Sequence, residues 1–131
     1  GAMSKGYFCA PTVVTDLPLD QRLWKYEMFL PITCITPVGN MEEAMKISND
    51  VAYGLTVGFL GSEEEAEWFF DKIEAGVSYV NRPQGASTGA WPGFQPFGGW
   101  KGSGATGKNA GGPYYLQLYM REQSRTLVRK A

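Results

Sequence analysis

The glycine-rich segment near the middle of the second half of the chain offers the most direct candidate for nucleotide chemistry. Residues 102–107 form a G-x-G-x-x-G pattern and residues 102–108 a G-x-x-x-x-G-K pattern, both of which can bind phosphates through backbone N–H groups. A dinucleotide fingerprint needs a hydrophobic strand directly before it, whereas P-F-G-G-W-K at residues 96–101 is typical of turns. The second pattern continues into Asn109, where a Ser or Thr hydroxyl should bind Mg²⁺. The glycines are better explained by positive φ angles and close backbone approach.

The cysteines and carboxylates give no clearer catalytic signal. The sequence has two cysteines, Cys9 and Cys34, and no histidine, so the commonest general base and metal ligand is missing and we predict no metal site. Both cysteines fall in predicted strands without a neighbouring base, which favours buried structural thiols over nucleophiles. The acidic run at residues 63–67 opens a predicted helix, where the helix dipole favours negative charge, so it indicates a solvated helix start.

Four large aromatic residues lie in the same glycine-rich part of the chain, namely Trp91, Phe94, Phe97 and Trp100. Leaving all of them in water would be costly, so the cluster either folds back as an apolar plug or lines an apolar pocket. The composition leaves both interpretations open.

The overall composition limits the classes of protein to consider. The chain has 131 residues, 44% of them hydrophobic and 19% charged, with a net charge of −1, enough for one ordinary domain without a disulfide framework. It lacks both a run of about 18 apolar residues and a basic face, so we expect neither a membrane span nor nucleic-acid binding. We expect a soluble, cytoplasmic protein, and we set residues 1–4 aside as the remnant of a cleaved expression tag.

Hydrophobic patterning predicts the elements that position these residues. Residues 7–15 favour an edge strand, because Pro11 cannot donate to a ladder, residues 18–29 favour a helix that starts with a proline, and residues 32–36 favour a strand. Two pairs of residues then have the spacing of a helix-opening capping box, namely Asn40 with Glu43 and Ser62 with Glu65.

The two capped helices alternate with further strands. Gly54 and Gly76 are placed to end the helices in a left-handed conformation, and strands are predicted over residues 55–60 and 77–81. Short connections between alternating strands and helices imply right-handed crossovers. We therefore predict an α/β fold with a small parallel sheet of three strands in a β-α-β-α-β arrangement.

The last third of the chain has a different character. Ten of the seventeen glycines fall within residues 85–112, where no strand or helix period remains, so this stretch is predicted to be a long loop with a function or a packing partner. Residues 114–128 mix aromatic and β-branched residues with charges and predict one or two strands with a charged face.

Four motifs stand in a characteristic order: E-M-F-L-P at residues 27–31, N-D-V-A-Y-G-L at 49–55, G-V-S-Y-V-N at 76–81 and Q-P-F-G-G-W-K-G-S-G at 95–104. In this order and spacing the four motifs resemble the C-terminal part of aldehyde dehydrogenases, and the resemblance covers nearly the whole chain. Three more motifs are N-R at 81–82, S-T-G-A at 87–90 and G-G-P-Y at 111–114. They narrow the resemblance to the 1-pyrroline-5-carboxylate dehydrogenase branch, which oxidises glutamate 5-semialdehyde to glutamate.

The resemblance implies two cofactor-binding residues. Glu27 matches the glutamate that binds the nicotinamide ribose hydroxyls, and Phe29 matches the aromatic residue beside the nicotinamide ring. The family usually has Gly before the next proline, Pro31, where this chain has Leu30. NAD or NADP is the cofactor that the resemblance implies for the intact enzyme.

It also implies substrate-binding residues in the glycine-rich part of the chain. Thr88, Gly89 and Ala90 match the loop whose backbone N–H groups hold the distal carboxylate of the substrate, which favours small residues there. Trp91 and Phe97 match aromatic walls of the tunnel that the aldehyde enters.

The family's Rossmann domain, catalytic Cys, general-base Glu and oxyanion-hole Asn lie upstream of the matched region. We therefore expect residues 5–113 to be the last part of the catalytic domain and residues 114–131 an oligomerisation segment. Such a fragment should be inactive and bind no cofactor alone, pack against the remainder of the enzyme, and self-associate through its C-terminal strand. The alternative is a small α/β module that binds a ligand or oligomerises without enzymatic activity.

Overall fold

The chain divides into two compact units, Gly1–Val51 and Ala52–Ala131. A computed structural model describes residues 5–82, 89–91 and 93–130. In the first unit, strand β1 (Thr12–Val14) pairs in parallel with β2 (Ile32–Cys34). Helix α1 (Met41–Asn49) follows β2.

Helix α1 begins as its sequence predicts. The Asn40 side-chain oxygen accepts a hydrogen bond from the Glu43 backbone N–H at 2.8 Å. The Glu43 carboxylate accepts from the Gly39 N–H at 2.7 Å, one residue before the position it would reach in a capping box. The predicted N-cap is therefore confirmed, with a variation in its carboxylate partner.

The helix predicted over residues 18–29 is wrong. Only a single 3₁₀ turn forms, Arg22–Trp24. The Trp24 indole Nε1–H donates to the Leu17 carbonyl at 3.2 Å, and the Gln21 N–H donates to the Pro18 carbonyl at 3.0 Å. These bonds satisfy the backbone in a tight turn and so replace the hydrogen bonds that a continuous helix would make.

The second unit contains a β-α-β arrangement. Strand β3 (Tyr53–Gly54) is followed by β4 (Thr56–Phe59), helix α2 (Glu63–Lys72) and β5 (Val77–Val80). Strands β4 and β5 pair in parallel over four residues each. Strand β3 pairs antiparallel with β6 (Trp100–Lys101).

Helix α2 starts with the capping box predicted at Ser62 and Glu65. The Ser62 hydroxyl oxygen accepts from the Glu65 N–H at 3.2 Å, and the Glu65 carboxylate accepts from the Ser62 N–H at 2.8 Å. The backbone hydrogen bond from Ser62, followed by the bond from its hydroxyl, lowers the pKa of Glu65 below its ordinary value. The carboxylate form therefore stabilises the start of this helix.

The buried apolar side chains of the described residues all belong to the second unit: Phe69, Ile73, Ala75, Val77 and Ala90. Phe69 stacks on Phe59 with 5.1 Å between ring centroids, so α2 packs on strand β4. Among residues 5–51, no side chain is classed as fully buried.

The prediction of one parallel sheet of three strands is wrong, although the α/β character and the parallel pairing of the two strands around α2 are confirmed. The six strands of the described residues form three sheets of two strands each. Strand β2 takes β1 as its partner through hydrogen bonds from Thr12 N–H to the Pro31 carbonyl and from Ile35 N–H to the Val14 carbonyl, both 2.9 Å. Contacts between segments that are far apart in the sequence determine which strands pair. The hydrophobic periodicity of the individual helices and strands does not encode these contacts.

Gly54 and Gly76 do not end the helices, contrary to the prediction. Neither has a positive φ, and the residues after the helices are Asp50 and Ile73. Gly54 lies in β3, and its carbonyl accepts from the Gly76 N–H at 2.9 Å. A Cβ at Gly76 would overlap the Gly98 carbonyl oxygen, so this glycine permits close approach of two backbones.

The last third of the chain differs from the prediction in two ways. The glycine-rich loop contains the short strand β6 and a bridge between Phe97 and Ala110, so it is not free of regular pairing. The predicted C-terminal strands are absent from the described residues, where a 3₁₀ turn (Leu116–Tyr119) precedes an exposed segment over 120–130. A strand requires a partner for its backbone groups, and none of the three sheets includes this segment.

Neither cysteine is fully buried. Cys9, which precedes β1, is exposed and Cys34 is half-buried, so the expectation of two buried thiols is wrong for Cys9 and is met only in part at Cys34. Neither helix within the described ranges is long and apolar enough to cross a membrane.

Candidate functional site

Glu27 lies in the first unit, three residues after the 3₁₀ turn that ends at Trp24. The side chain is exposed, in irregular backbone rather than on the helix that the sequence predicts. An exposed carboxylate can accept hydrogen bonds from two neighbouring hydroxyls of a ligand.

Two contacts hold the segment before Glu27 in place. The Lys25 ammonium forms an ion pair with the Asp50 carboxylate at 2.6 Å, which joins this segment to the end of α1. The Arg22 guanidinium lies 4.0 Å from the centroid of the Tyr26 ring, within the range of a cation–π contact. These contacts fix the residues on the N-terminal side of Glu27.

Phe29 has an unusual conformation for an aromatic residue. Its φ is +50°, in the left-handed region, and its side chain is 90% exposed. The chain then turns tightly around Pro31, because the Ile32 N–H donates to the Leu30 carbonyl at 2.8 Å. A bulky residue at positive φ is strained, and such strain often occurs at functional sites.

Gly89 lies against the β4–β5 sheet of the second unit. Its φ is +68°, and a Cβ at this position would come within 2.8 Å of the Thr56 side chain and 2.9 Å of the Tyr79 ring. Both the conformation and the close contacts require glycine. Thr88, assigned to the same loop, lies outside the described residues.

Ala90 is 6% exposed and contributes to a small cavity of about 200 Å³. The cavity is lined by residues of the strand and of the loop, including Val77, Ser78, Gly89, Gln95 and Pro96. Its size suits a small polar group such as a carboxylate rather than a large ligand.

Trp91 and Phe97 occupy different environments within the second unit. Trp91 is 58% exposed, and its backbone N–H donates to the Gln95 side-chain oxygen at 2.9 Å in a tight turn. Phe97 is half-buried, and its backbone forms two hydrogen bonds with Ala110, at 2.6 and 3.1 Å. Within the described part of the chain the two rings make no ring contact with each other. Of the predicted substrate residues that the structure describes, Gly89 and Ala90 border the same cavity, and Trp91 follows them in the chain.

The aromatic cluster does not form a buried plug. Trp91, Phe94 and Trp100 are all exposed by about half or more, and Phe97 is the half-buried exception. The exposed rings contradict the first of the two interpretations left open by the composition, the apolar plug, whereas the second, an apolar pocket, stays a prediction.

Two residues at the end of β5 have contacts that sequence reasoning did not assign. The Asn81 side chain binds both backbone groups of Gly61, with Oδ1 accepting at 3.0 Å and Nδ2 donating at 2.8 Å, and its φ is +54°. Arg82 donates a hydrogen bond to the Gly89 carbonyl. Both residues belong to the N-R motif. Asn81 could have been singled out from the sequence, because an asparagine directly after a predicted strand tolerates a positive φ.

No group of three or more residues able to hold a metal ion occurs among the residues that the structure describes. The candidate residues that the structure describes offer one exposed carboxylate, exposed aromatic rings and close-packed backbone.

Comparison with known proteins gives a consistent result. The model of the aldehyde dehydrogenase family matches residues 1–124. A 1-pyrroline-5-carboxylate dehydrogenase of Bacillus mycoides (strain KBAB4) is 39% identical over 125 residues, which are 95% of this chain and 24% of that protein. A 2,5-dioxopentanoate dehydrogenase of Saccharolobus solfataricus is 38% identical over 122 residues, 92% of this chain and 24% of that protein.

A solved structure agrees with these sequence matches. The structure of 1-pyrroline-5-carboxylate dehydrogenase from Thermus with bound NAD superposes with a TM-score of 0.77 at 40% identity, over 88% of this chain and 22% of that chain. This chain thus spans about a quarter of the length of the curated relatives it matches. Because the family model matches most of the length of this chain, the chain belongs to the aldehyde dehydrogenase family.

Proposed function

We propose that this chain is the C-terminal part of an NAD(P)-dependent aldehyde dehydrogenase whose substrate is a small aldehyde with a carboxylate at its far end. The observation that carries this proposal is the Gly89–Ala90 backbone, held close to the β4–β5 sheet beside a cavity of about 200 Å³. Residues 5–113 are then the last part of the catalytic domain, and residues 114–131 the oligomerisation segment.

The names of the relatives support this substrate class. One relative is a 1-pyrroline-5-carboxylate dehydrogenase and another a 2,5-dioxopentanoate dehydrogenase. The aldehydes that these names imply share a chain with an aldehyde at one end and a carboxylate at the other, and they differ in the group beside the carboxylate. Glutamate 5-semialdehyde, oxidised to glutamate in proline catabolism, is the substrate we assign.

The substrate residues act by shape and backbone polarity. Thr88, Gly89 and Ala90 form the loop that holds the distal carboxylate. A Cβ at Gly89 would displace this backbone, and a side chain larger than methyl at Ala90 would block the approach of the substrate to it. Trp91 and Phe97 offer apolar ring surface along the aldehyde chain. This arrangement orients the aldehyde and excludes water around it.

The residues for the cofactor are compatible with NAD. Glu27 is an exposed carboxylate able to accept from both ribose hydroxyls, and Phe29 presents a flat, almost fully exposed ring beside which a nicotinamide can lie. NAD, when bound, supplies the hydride acceptor. Glu27 and Phe29 orient it and do not themselves react.

The nucleophile and the general base of the reaction lie in the remainder of the enzyme under this proposal. The chain alone is then inactive, and it packs against that remainder and against other copies through its exposed C-terminal segment. We also propose that the enzyme is cytoplasmic. NADH formation by the purified chain with any aldehyde would contradict the assignment of the reacting groups to the remainder.

The direct test uses the full-length enzyme that carries this sequence. A Gly89→Ala variant places a methyl group against Thr56 and Tyr79, so the KM for glutamate 5-semialdehyde should rise about tenfold, whereas the KM for propanal should change little. Gly93→Ala is the matched control, because a Cβ at Gly93 meets no atom within 4 Å. An equal loss of activity with both aldehydes would contradict the carboxylate-binding role.

A further inference from the structure

Arg82 contacts the Gly89–Ala90 backbone. It lies two residues after the end of β5 and is half-buried. Its Nη1–H donates to the Gly89 carbonyl oxygen at 2.9 Å. A hydrogen bond from a charged donor is stronger and more directional than one between neutral groups, so this contact restrains the Gly89 carbonyl.

The restraint extends to the next residue through peptide geometry. No cis peptide bond occurs within the described residues, and in a trans peptide the carbonyl and the following N–H point in opposite directions. Fixing the Gly89 carbonyl toward Arg82 therefore also fixes the direction of the Ala90 N–H. The orientation of the peptide that borders the 200 Å³ cavity depends in this way on one guanidinium group.

The same guanidinium lies against two aromatic rings. Its central carbon is 5.1 Å from the centroid of Trp91 and 5.8 Å from that of Tyr79. Tyr79 in turn is one of the two side chains that Gly89 approaches closely. One cation thus connects the sheet, through Tyr79, with the loop, through both the Gly89 backbone and the Trp91 ring.

Arginine suits this position better than lysine. Its planar group can lie over a ring and donate in its plane to a carbonyl at the same time, whereas an ammonium group acts as a point charge. The geometry requires both contacts at once.

We propose that Arg82 is a positioning residue for carboxylate-bearing aldehydes: it holds the Gly89–Ala90 peptide against the sheet and the Trp91 ring beside its own guanidinium, without touching the reacting aldehyde. The inference rests on the proposed function for its substrate and on the contacts above for its mechanism. Loss of the guanidinium frees the peptide to rotate and removes the cation that holds the ring, and both changes weaken binding at the carboxylate end of the substrate.

The kinetic test compares two aldehydes in the full-length enzyme. In Arg82→Met the KM for glutamate 5-semialdehyde should rise about tenfold or more, with the KM for propanal changed less than about twofold. Arg82→Lys keeps a charged donor and should give an intermediate KM. Lys46→Met, which removes an exposed cation on α1, should behave as the unmodified enzyme.

Hydrogen exchange provides a second readout that does not depend on activity. The peptide covering Gly89 to Gln95 should exchange faster in Arg82→Met than in the unmodified enzyme or in Lys46→Met. If Arg82→Met does not fold, Arg82→Gln carries both tests, because it also removes the guanidinium.

The outcomes separate the two proposals. Unchanged exchange, an unchanged KM for the carboxylate-bearing aldehyde, or an equal rise for both aldehydes would overturn the role of Arg82. If the unmodified enzyme oxidises propanal but no carboxylate-bearing aldehyde, the proposed substrate fails, and faster exchange in Arg82→Met would still support the restraint on the loop.

Discussion

Helices α1 and α2 begin with the same kind of cap but differ in what they bury. Asn40 and Ser62 each accept a hydrogen bond from the backbone N–H of a glutamate three residues later. Helix α2 nevertheless packs Phe69 on Phe59, whereas no residue of α1 is buried in the described structure. A cap needs only neighbouring residues, but a core needs a second surface.

The apolar side of α1 borders a cavity instead of a core. Ile47 and Val51 line a space of about 470 Å³ together with Trp24 and Leu19 of the preceding segment. Apolar side chains left in this state favour a further packing partner. The contrast agrees with the proposal that the rest of the enzyme completes the first unit.

The largest expected effect tests the core of the second unit. Phe69→Ala removes a ring that is 4% exposed and should lower the free energy of unfolding by about 3 to 5 kcal/mol. Phe70→Ala, at a neighbouring ring that is 48% exposed, should cost less than about 1 kcal/mol. Urea titration of both variants measures the difference, and similar losses at the two positions would mean that the second unit has no distinct core.

The next effect concerns the division of function between the units. In the full-length enzyme, Glu27→Gln should raise the KM for NAD about tenfold, because a neutral amide accepts from ribose hydroxyls less strongly, and should leave the KM for the aldehyde nearly unchanged. Glu42→Gln, at an exposed position in the first turn of α1, is the control. A change confined to the aldehyde KM would contradict the assignment of the cofactor to the first unit.

The two caps should have nearly equal effects, in contrast to the two cores. Asn40→Ala and Ser62→Ala should each cost about 1 kcal/mol of stability, since each removes one acceptor from a helix N-terminus. Amide exchange along α1 and α2 reports the two losses separately. A much larger loss in α2 alone would show that its cap is coupled to the core.

The smallest effect is a dependence of the stability of α2 on pH through the Glu65 carboxylate. The folded pKa of Glu65 lies below its ordinary value of 4.5, so its stabilising contribution is present above that pH and is lost as the pH falls through the folded pKa. Exchange protection of α2 should therefore decrease in acid. Glu65→Gln should remove this part of the pH dependence, and Glu64→Gln should retain it.

The distinction between local features, such as caps, and features that need a distant partner also explains how much of the fold the sequence predicts. The caps at Asn40 and Ser62 and the strands near residues 32, 56 and 77 depend on local patterns and are confirmed. The sheet partners depend on segments far apart in the sequence: the parallel pairing of β4 with β5 is confirmed, but β2 pairs with β1, so the prediction of a third strand in that sheet was wrong. Gly54 was misread because a glycine needed for close backbone approach looks, in sequence, like one that ends a helix.

The candidate site shows the same limit. A family motif identified Gly89 and Ala90, and the structure supplies a physical reason for the glycine in its contacts with Thr56 and Tyr79. Arg82 belongs to a separate motif, N-R at 81–82, and its contact with the Gly89 carbonyl joins residues seven positions apart, so it becomes visible only in the structure. Contacts of this kind have no periodicity that a sequence pattern can reveal.

The left-handed conformation of Phe29 has an evolutionary consequence. A glycine would relieve the strain at φ +50°, so Phe29→Gly should make the turn easier to form, while removing the ring that the proposed function requires. Selection for stability and selection for catalysis then favour different residues at one position. Homologues that have lost the activity but kept the fold would be expected to drift toward Gly or Asn there, which makes this position an indicator of whether a related sequence still encodes a working enzyme.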